Sequence, residues 1–312
     1  MVGRDAQLAH TLCVTPFGCR HKERVTMIRL TTLLWLFASF SYSQDLVVGV
    51  IEQNFHNWDV DTSHPFVVRV AFKKDAGLWR SFPTDFSPPD SGRSSYPAAL
   101  SWTICFDGRN RGSISSSLPE RIEYYKDIGI HYIDILDKVP MIGKPGMDFA
   151  GWIGKPVYRP LVVCTSPNCA DPEKWKPYRP TTGDISKVLG SVDSNVIKTV
   201  HPVRRETYQV RKSFASRSEK LICVSFVSRA AASGDTLDGP GDDSDNNSLA
   251  WFVLRNGSCQ YLRSDMLLLD AGDYDNDGKS EVVFKFEEYD RDGYVLYYDD
   301  FRGKAEFGWI YH

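Results

Sequence analysis

The sequence is poor in the features that mark an enzyme or a nucleic-acid binder. It contains no G-x-S-x-G, no H-E-x-x-H, no phosphate-cradling P-loop and no G-x-G-x-x-G. Histidine is sparse: beyond the N-terminal region only His56, His64, His131, His201 and His312 remain, and none stands at metal-ligand spacing from another. Basic charge is not in excess either. With 37 Lys and Arg against 40 Asp and Glu, the formal net charge is −3, so the concentrated positive face that nucleic acid requires is not expected. The one basic cluster, His201 to Lys212, alternates like an exposed strand.

Long apolar runs are also lacking. The longest, Leu30 to Phe40, falls short of the roughly 20 residues that span a bilayer. It fits a secretory signal better: Arg29 supplies the positive start, Leu30 to Phe40 the apolar stretch, and Ser41-Tyr42-Ser43 a small-x-small cleavage site before Gln44. Residues 27–43 are therefore expected to be a signal peptide, the protein to be secreted or periplasmic, and no stable membrane span to remain after cleavage. Residues 1–26 are too long for an ordinary positive segment, so Met27 is expected as the true start and 1–26 as a leader outside the working protein.

Setting that leader aside removes Cys13 and Cys19 from consideration and leaves Cys105, Cys164, Cys169, Cys223 and Cys259. The count is odd, so at least one is unpaired or bonds to another chain. Cys164 and Cys169, in CTSPNC, flank a turn that a disulfide could close in an oxidising compartment. A zinc site would need two further ligands nearby, and the sequence offers none.

What is present is strand. LVVGVIE, PFVVRVAF, LSWTICF, IHYIDIL, YRPLVVC, KLICVSFV, LAWFVL, MLLLDA, EVVFKF, YVLYY and FGWIY are short β-branched and aromatic runs broken by Gly, Pro, Asn and Asp. Only LPERIEYYKDI and DISKVLGSV, the latter with Asp184 as its expected N-cap, compete as helices. The expected fold is mainly β with few short helices, β-propeller-like or alternatively a β-sandwich. Residues 44–248 form a mainly-β region, interrupted by polar linkers at 85–97 and 233–248. Residues 249–312 read as a blade-like unit, with a hairpin at Asn256-Gly257 and a further turn at Asp292-Gly293.

Within that unit, DYDNDGKSE spaces Asp273, Asp275, Asp277 and Glu281 at positions 1, 3, 5 and 9 of a loop, with Gly278 at position 6. Alternate residues of a curled loop can aim their oxygens at one centre, the Lys279 carbonyl can join them, and glycine permits the sharp turn. An all-oxygen set of this kind suits calcium. An EF-hand would need a Glu at position 12, where Phe284 stands, and helices on both sides, where strands are expected. Asp290 and Asp292 could begin a second cage, but no closing carboxylate follows.

GDYDNDGKSEVVF resembles the D-x-D-x-D-G-x-x-[DE] element between strands in FG-GAP/VCBS repeats of calcium-binding β-propellers. That resemblance implies Ca2+ held by the side chains of Asp273, Asp275, Asp277 and Glu281 and by the carbonyl of Lys279. The tail also resembles that of exported bacterial proteins, a likeness that implies no activity. Two functions remain open: a calcium-stabilised binding or structural module for a protein or glycan ligand, and a secreted carbohydrate hydrolase whose calcium is structural.

Overall fold

Each strand-like run of the sequence falls on a strand wherever the structure describes it. The structure, a computed structural model, describes residues 46–53, 55–56, 59–60, 66–82, 101–117, 133–140, 160–192, 208–226, 248–288 and 290–310. The leader, the signal segment, the linker at 85–97, nearly all of the linker at 233–248 and the LPERIEYYKDI helix lie outside the described residues.

In chain order the elements are β1 (Val47–Gln53), β2 (Phe55–His56), β3 (Asp59–Val60), β4 (Phe66–Asp75), β5 (Leu78–Ser81), β6 (Ser101–Cys105), β7 (Asn110–Ser115), β8 (Ile133–Asp134), β9 (Leu161–Cys164), β10 (Lys176–Pro177), α1 (Thr182–Val192), β11 (Tyr208–Ala215), β12 (Glu219–Phe226), β13 (Ser248–Arg255), β14 (Ser258–Ser264), β15 (Met266–Gly272), β16 (Glu281–Glu287), β17 (Arg291–Tyr298) and β18 (Gly303–Ile310). The fold is mainly β. A seven-stranded sheet runs β5-β4-β1-β9-β6-β7 with β8 beside β4, a five-stranded sheet runs β10-β11-β12-β13-β14, and a four-stranded meander runs β15-β16-β17-β18. All of their pairings are antiparallel and none of the three sheets closes on itself. Stacked sheets of unequal size are sandwich-like.

Side-chain alternation sets the layers. On β16, Val282, Phe284 and Phe286 pack with Trp251, Val253 and Leu221 of the five-stranded sheet, whereas Val283 packs with the seven-stranded one. On β17, Val295 and Tyr297 face the first core while Tyr294 and Leu296 face the second. The meander is therefore a middle layer buried on both faces. That is why EVVFKF and YVLYY read as nearly continuous apolar runs rather than as alternation. Burying each Phe of this layer contributes about 2–3 kcal/mol. On the outer face of the five-stranded sheet, Val188 and Val192 of α1 cover Ile222, Val224 and Phe252.

Local details sharpen several expectations. Asn256 and Gly257 both take positive φ, 48° and 82°, as a two-residue type I′ hairpin needs. This hairpin belongs to the five-stranded sheet, so the meander itself begins at Met266. The expected turn at Asp292-Gly293 is a strand instead: these residues pair with Trp309 and Gly308 inside β17, and the turn falls just before Arg291. Gly293 is required by packing, because a Cβ there would run into the Phe286 ring and the Phe307 carbonyl. For α1 the cap is Thr181, not Asp184. The Asp184 amide donates to Thr181 Oγ1 (3.2 Å) and the Thr181 amide to Asp184 Oδ2 (3.0 Å), a reciprocal capping box.

The cysteine pairing also differs from the short-loop expectation. Cys105 bonds Cys169 across 64 residues, with Cα atoms 5.9 Å apart. Cys164 is a free buried thiol whose Sγ lies 3.6 Å from that of Cys105. Adjacent antiparallel strands β6 and β9 bring Cys105 and Cys164 together, and the segment after β9 returns Cys169 to Cys105, which sequence spacing could not show. Among the described residues no helix is long and apolar enough to cross a membrane.

Candidate metal centre

The acidic stretch is the connection between two strands of the middle layer. Gly272 and Glu281 are the last pair of the β15–β16 ladder, so residues 273–280 form the whole loop between them. Its N-terminal end is held close to the segment after β9: a Cβ on Gly272 would meet the Cys169 carbonyl oxygen at 2.5 Å. Gly278, at φ 86°, supplies the left-handed turn, and Asn276 takes φ 59°, a conformation Asn tolerates.

Inside the loop the carboxylates are drawn inward by backbone amides. Asp273 accepts from the amides of Asp277 and Gly278, both at 3.0 Å, and Asp275 Oδ1 accepts from the Asp277 amide at 3.0 Å. Glu281 Oε2 accepts from the Tyr274 amide at 2.8 Å. Oxygens of Asp273, Asp275 and Glu281 then lie within 4.8 Å of one another. Asp277 stands apart from that group, its Oδ1 accepting from the Lys279 amide at 2.8 Å. The Lys279 side chain leaves the loop and its Nζ donates to Asp299 Oδ1 (2.7 Å) and Asp300 Oδ2 (3.3 Å).

Electrostatics follow from burial. Glu281 is 1% exposed, and burial, reinforced by the charges of Asp275, Asp277 and Asp273, pushes its carboxyl well above the usual range. Burial likewise raises Asp273, against the two amides that favour its charged form. One balancing charge is built in: Lys74 of β4 forms an ion pair with Asp275. The donor set is all hard oxygen and carries more negative charge than Lys74 neutralises. It fits a calcium-class cation.

Several residues around the loop have no local signature in the sequence. Ser166 accepts from Asn276 Nδ2 (2.6 Å), and Asp171 Oδ1 accepts from Ser280 Oγ (2.6 Å) while both Asp171 oxygens take the amides of Glu173 and Trp175. Asp270 Oδ1 accepts from the Gly108 amide at 3.0 Å. Such partners are more than 100 positions away, and only the stacking of sheets joins them. Asp290 and Asp292 belong to neither of the carboxylate clusters of metal-binding geometry among the described residues. Trp175 is buried, edge-on to Phe301 at 6.0 Å.

Compared with known proteins, the chain matches no family model, no curated protein and no solved structure.

Proposed function

We propose that this protein is an exported, β-rich binding or structural module that calcium holds together, acting through its surface on a protein or glycan ligand. The convergence of Asp273, Asp275 and Glu281 within 4.8 Å, between two strands of the buried middle layer, carries the reading. The Asp277 side chain and the Lys279 carbonyl would complete the coordination. Calcium supplies charge neutralisation when bound. The chain's own part is to hold the oxygens in place through backbone amides and to fix both loop ends by strand pairing.

The loop's likeness to FG-GAP/VCBS elements supports a blade-type role for the meander, a four-stranded up-and-down sheet of the kind that builds propeller blades. The Cys105–Cys169 disulfide supports an oxidising compartment, in keeping with the signal-like segment Met27 to Ser43. External calcium would fill even a site with a dissociation constant of about 10⁻⁴ to 10⁻³ M.

Thermal melting of the full chain with calcium and with chelator tests this. Calcium is expected to raise the midpoint, and Glu281→Gln to abolish most of the rise. An equal midpoint in both buffers would sink the calcium reading. So would a rise of undiminished size in Glu281→Gln and in Asp273→Asn alike.

A further inference from the structure

The acidic loop is not the only place where carboxylates converge. Glu173 lies in the segment after β9, Glu219 opens β12, and Asp300 sits in the turn between β17 and β18. They come from three parts of the chain. One oxygen of each lies within 4.8 Å of the others. We propose that Glu173, Glu219 and Asp300 form a second site for a hard divalent cation, distinct from the loop of Asp273 to Glu281.

A cluster of acids alone would say little, since exposed carboxylates gather without any ligand. Glu219 is different: it is 2% exposed, and its Oε2 is buried with no hydrogen-bond partner. A buried carboxylate oxygen lacking a donor is costly, because it has given up water and gained nothing in exchange. Its neighbours in the cluster do not repair this, being acceptors themselves when ionised. A divalent cation satisfies all three at once.

Each of the three residues has its own local anchor. Glu173 Oε2 accepts from Trp175 Nε1 at 3.0 Å, and the Glu173 amide is fixed by Asp171 Oδ1 at 2.9 Å. Glu219 is anchored by its strand register opposite Arg255 and by its amide, which donates to Ser216 Oγ at 3.2 Å. Asp300 is presented by three successive left-handed residues, Asp299, Asp300 and Phe301, at φ 48°, 55° and 61°. Arg255 holds that turn through the Asp300 carbonyl.

Positive charge is close: Arg255, Arg302 and Lys279 all act electrostatically on Glu219. Lys279 Nζ lies 3.3 Å and Arg302 Nη2 4.0 Å from Asp300 Oδ2, and both Lys279 and Arg302 are also paired with Asp299. Neither forms an ion pair with Glu173 or Glu219 among the described residues. The donors are three carboxylates and no nitrogen or sulfur, which selects the calcium or magnesium class over zinc or copper. Lys279 links the two centres. Its carbonyl belongs to the acidic loop and its ammonium to the Asp299-Asp300 turn.

The indole beside Glu173 gives a site-specific readout. Terbium, a luminescent stand-in for calcium, is added to the full chain while tryptophan is excited. Sensitised emission is expected, calcium should compete it away, and Trp175→Phe should remove most of it. Glu219→Gln and Asp300→Asn should each weaken terbium binding by about tenfold or more, whereas Glu281→Gln should leave this emission in place. Asp300→Asn guards against misfolding as the cause, because Asn accepts a left-handed turn position readily. Measured in the Glu281→Gln background, unchanged emission in both Glu219→Gln and Asp300→Asn would overturn the proposal, as would emission that persists in Trp175→Phe. Loss of emission in Glu281→Gln alone would assign the signal to the acidic loop and refute a separate site.

Discussion

Lys74 and Asp275 form an ion pair across 201 positions of sequence, joining β4 of the seven-stranded sheet to the acidic loop of the middle layer. The Asp275 side chain is only 1% exposed there. A lysine ammonium thus already occupies one oxygen of a carboxylate that the calcium reading assigns to metal.

Lys74→Met separates these roles. Without the ammonium the loop's carboxylates repel one another unrelieved, so the variant should be less stable in chelator by about 3 kcal/mol. Calcium should then bind about tenfold more tightly, having no competitor for Asp275. Calorimetric titration and melting in chelator check both signs. A variant that loses calcium affinity would mean that Lys74 positions the loop rather than competing in it.

Acid sensitivity should come from Glu52. Burial alone would raise its carboxyl, but Arg69 overrides this through its charge and two hydrogen bonds of 2.6 Å, with help from Tyr294 and Lys285, so the group is held below its ordinary 4.5. A depressed carboxyl stabilises the fold fully above the unfolded value and loses that contribution as pH falls through the folded one. Stability should therefore fall steeply below about pH 4.5. Glu52→Gln should flatten that acid limb and cost about 3–5 kcal/mol at neutral pH, because the carboxylate charge that balances buried Arg69 is removed. Urea midpoints between pH 3 and 7 measure it.

Asp270 should act in the opposite sense. Burial pushes its carboxyl up to about 7, against the amides of Gly108 and Ala271 that favour the charged form. Between the unfolded value of 3.8 and about 7 the native state holds a proton that the unfolded chain releases, so its contribution is present at low pH and lost as pH rises through 7. Asp270→Asn keeps an oxygen for the Gly108 amide and removes this loss. It should stabilise the protein by about 2 kcal/mol at pH 8 and by much less at pH 4. Equal shifts at both pH values would count against the assignment.

Thiol reactivity should divide by burial. Burial pushes both the Cys164 and the Cys223 thiols up to about 12, so neither offers thiolate at neutral pH. Cys259 is half-buried beside Ser191 Oγ at 3.3 Å and is the most accessible free thiol among the described residues. Peptide mapping after alkylation should find Cys259 modified in the native protein, and Cys164 and Cys223 only after denaturation. Native labelling of Cys164 would place that segment outside the core.

Much of the strand content was legible because β-branched and aromatic runs encode it locally, as at PFVVRVAF and KLICVSFV. Asn256-Gly257 was legible for the same reason: its backbone conformation is a property of those two residues. Layering was not. EVVFKF looks the same in sequence whether one face or both are buried, and only the packing of Val283 against one sheet and Phe284 against another distinguishes the cases. Gly293 misled because a glycine after Asp signals a turn, while its actual role is to admit the Phe286 ring. The acidic loop was readable as a spacing. Lys74, Ser166, Asp171, Glu173 and Glu219 were not, since each reaches its partners through sheet stacking and leaves no periodic trace.

The middle layer also governs when the protein can close. Its four strands occupy residues 266–310, whereas the two sheets it separates are drawn almost wholly from residues before 265. Each outer sheet therefore has an apolar face that this one segment covers, and both cores depend on it at once. Folding is therefore expected to be late and concerted, and a chain cut at residue 265 to aggregate more readily than the full one in a light-scattering assay.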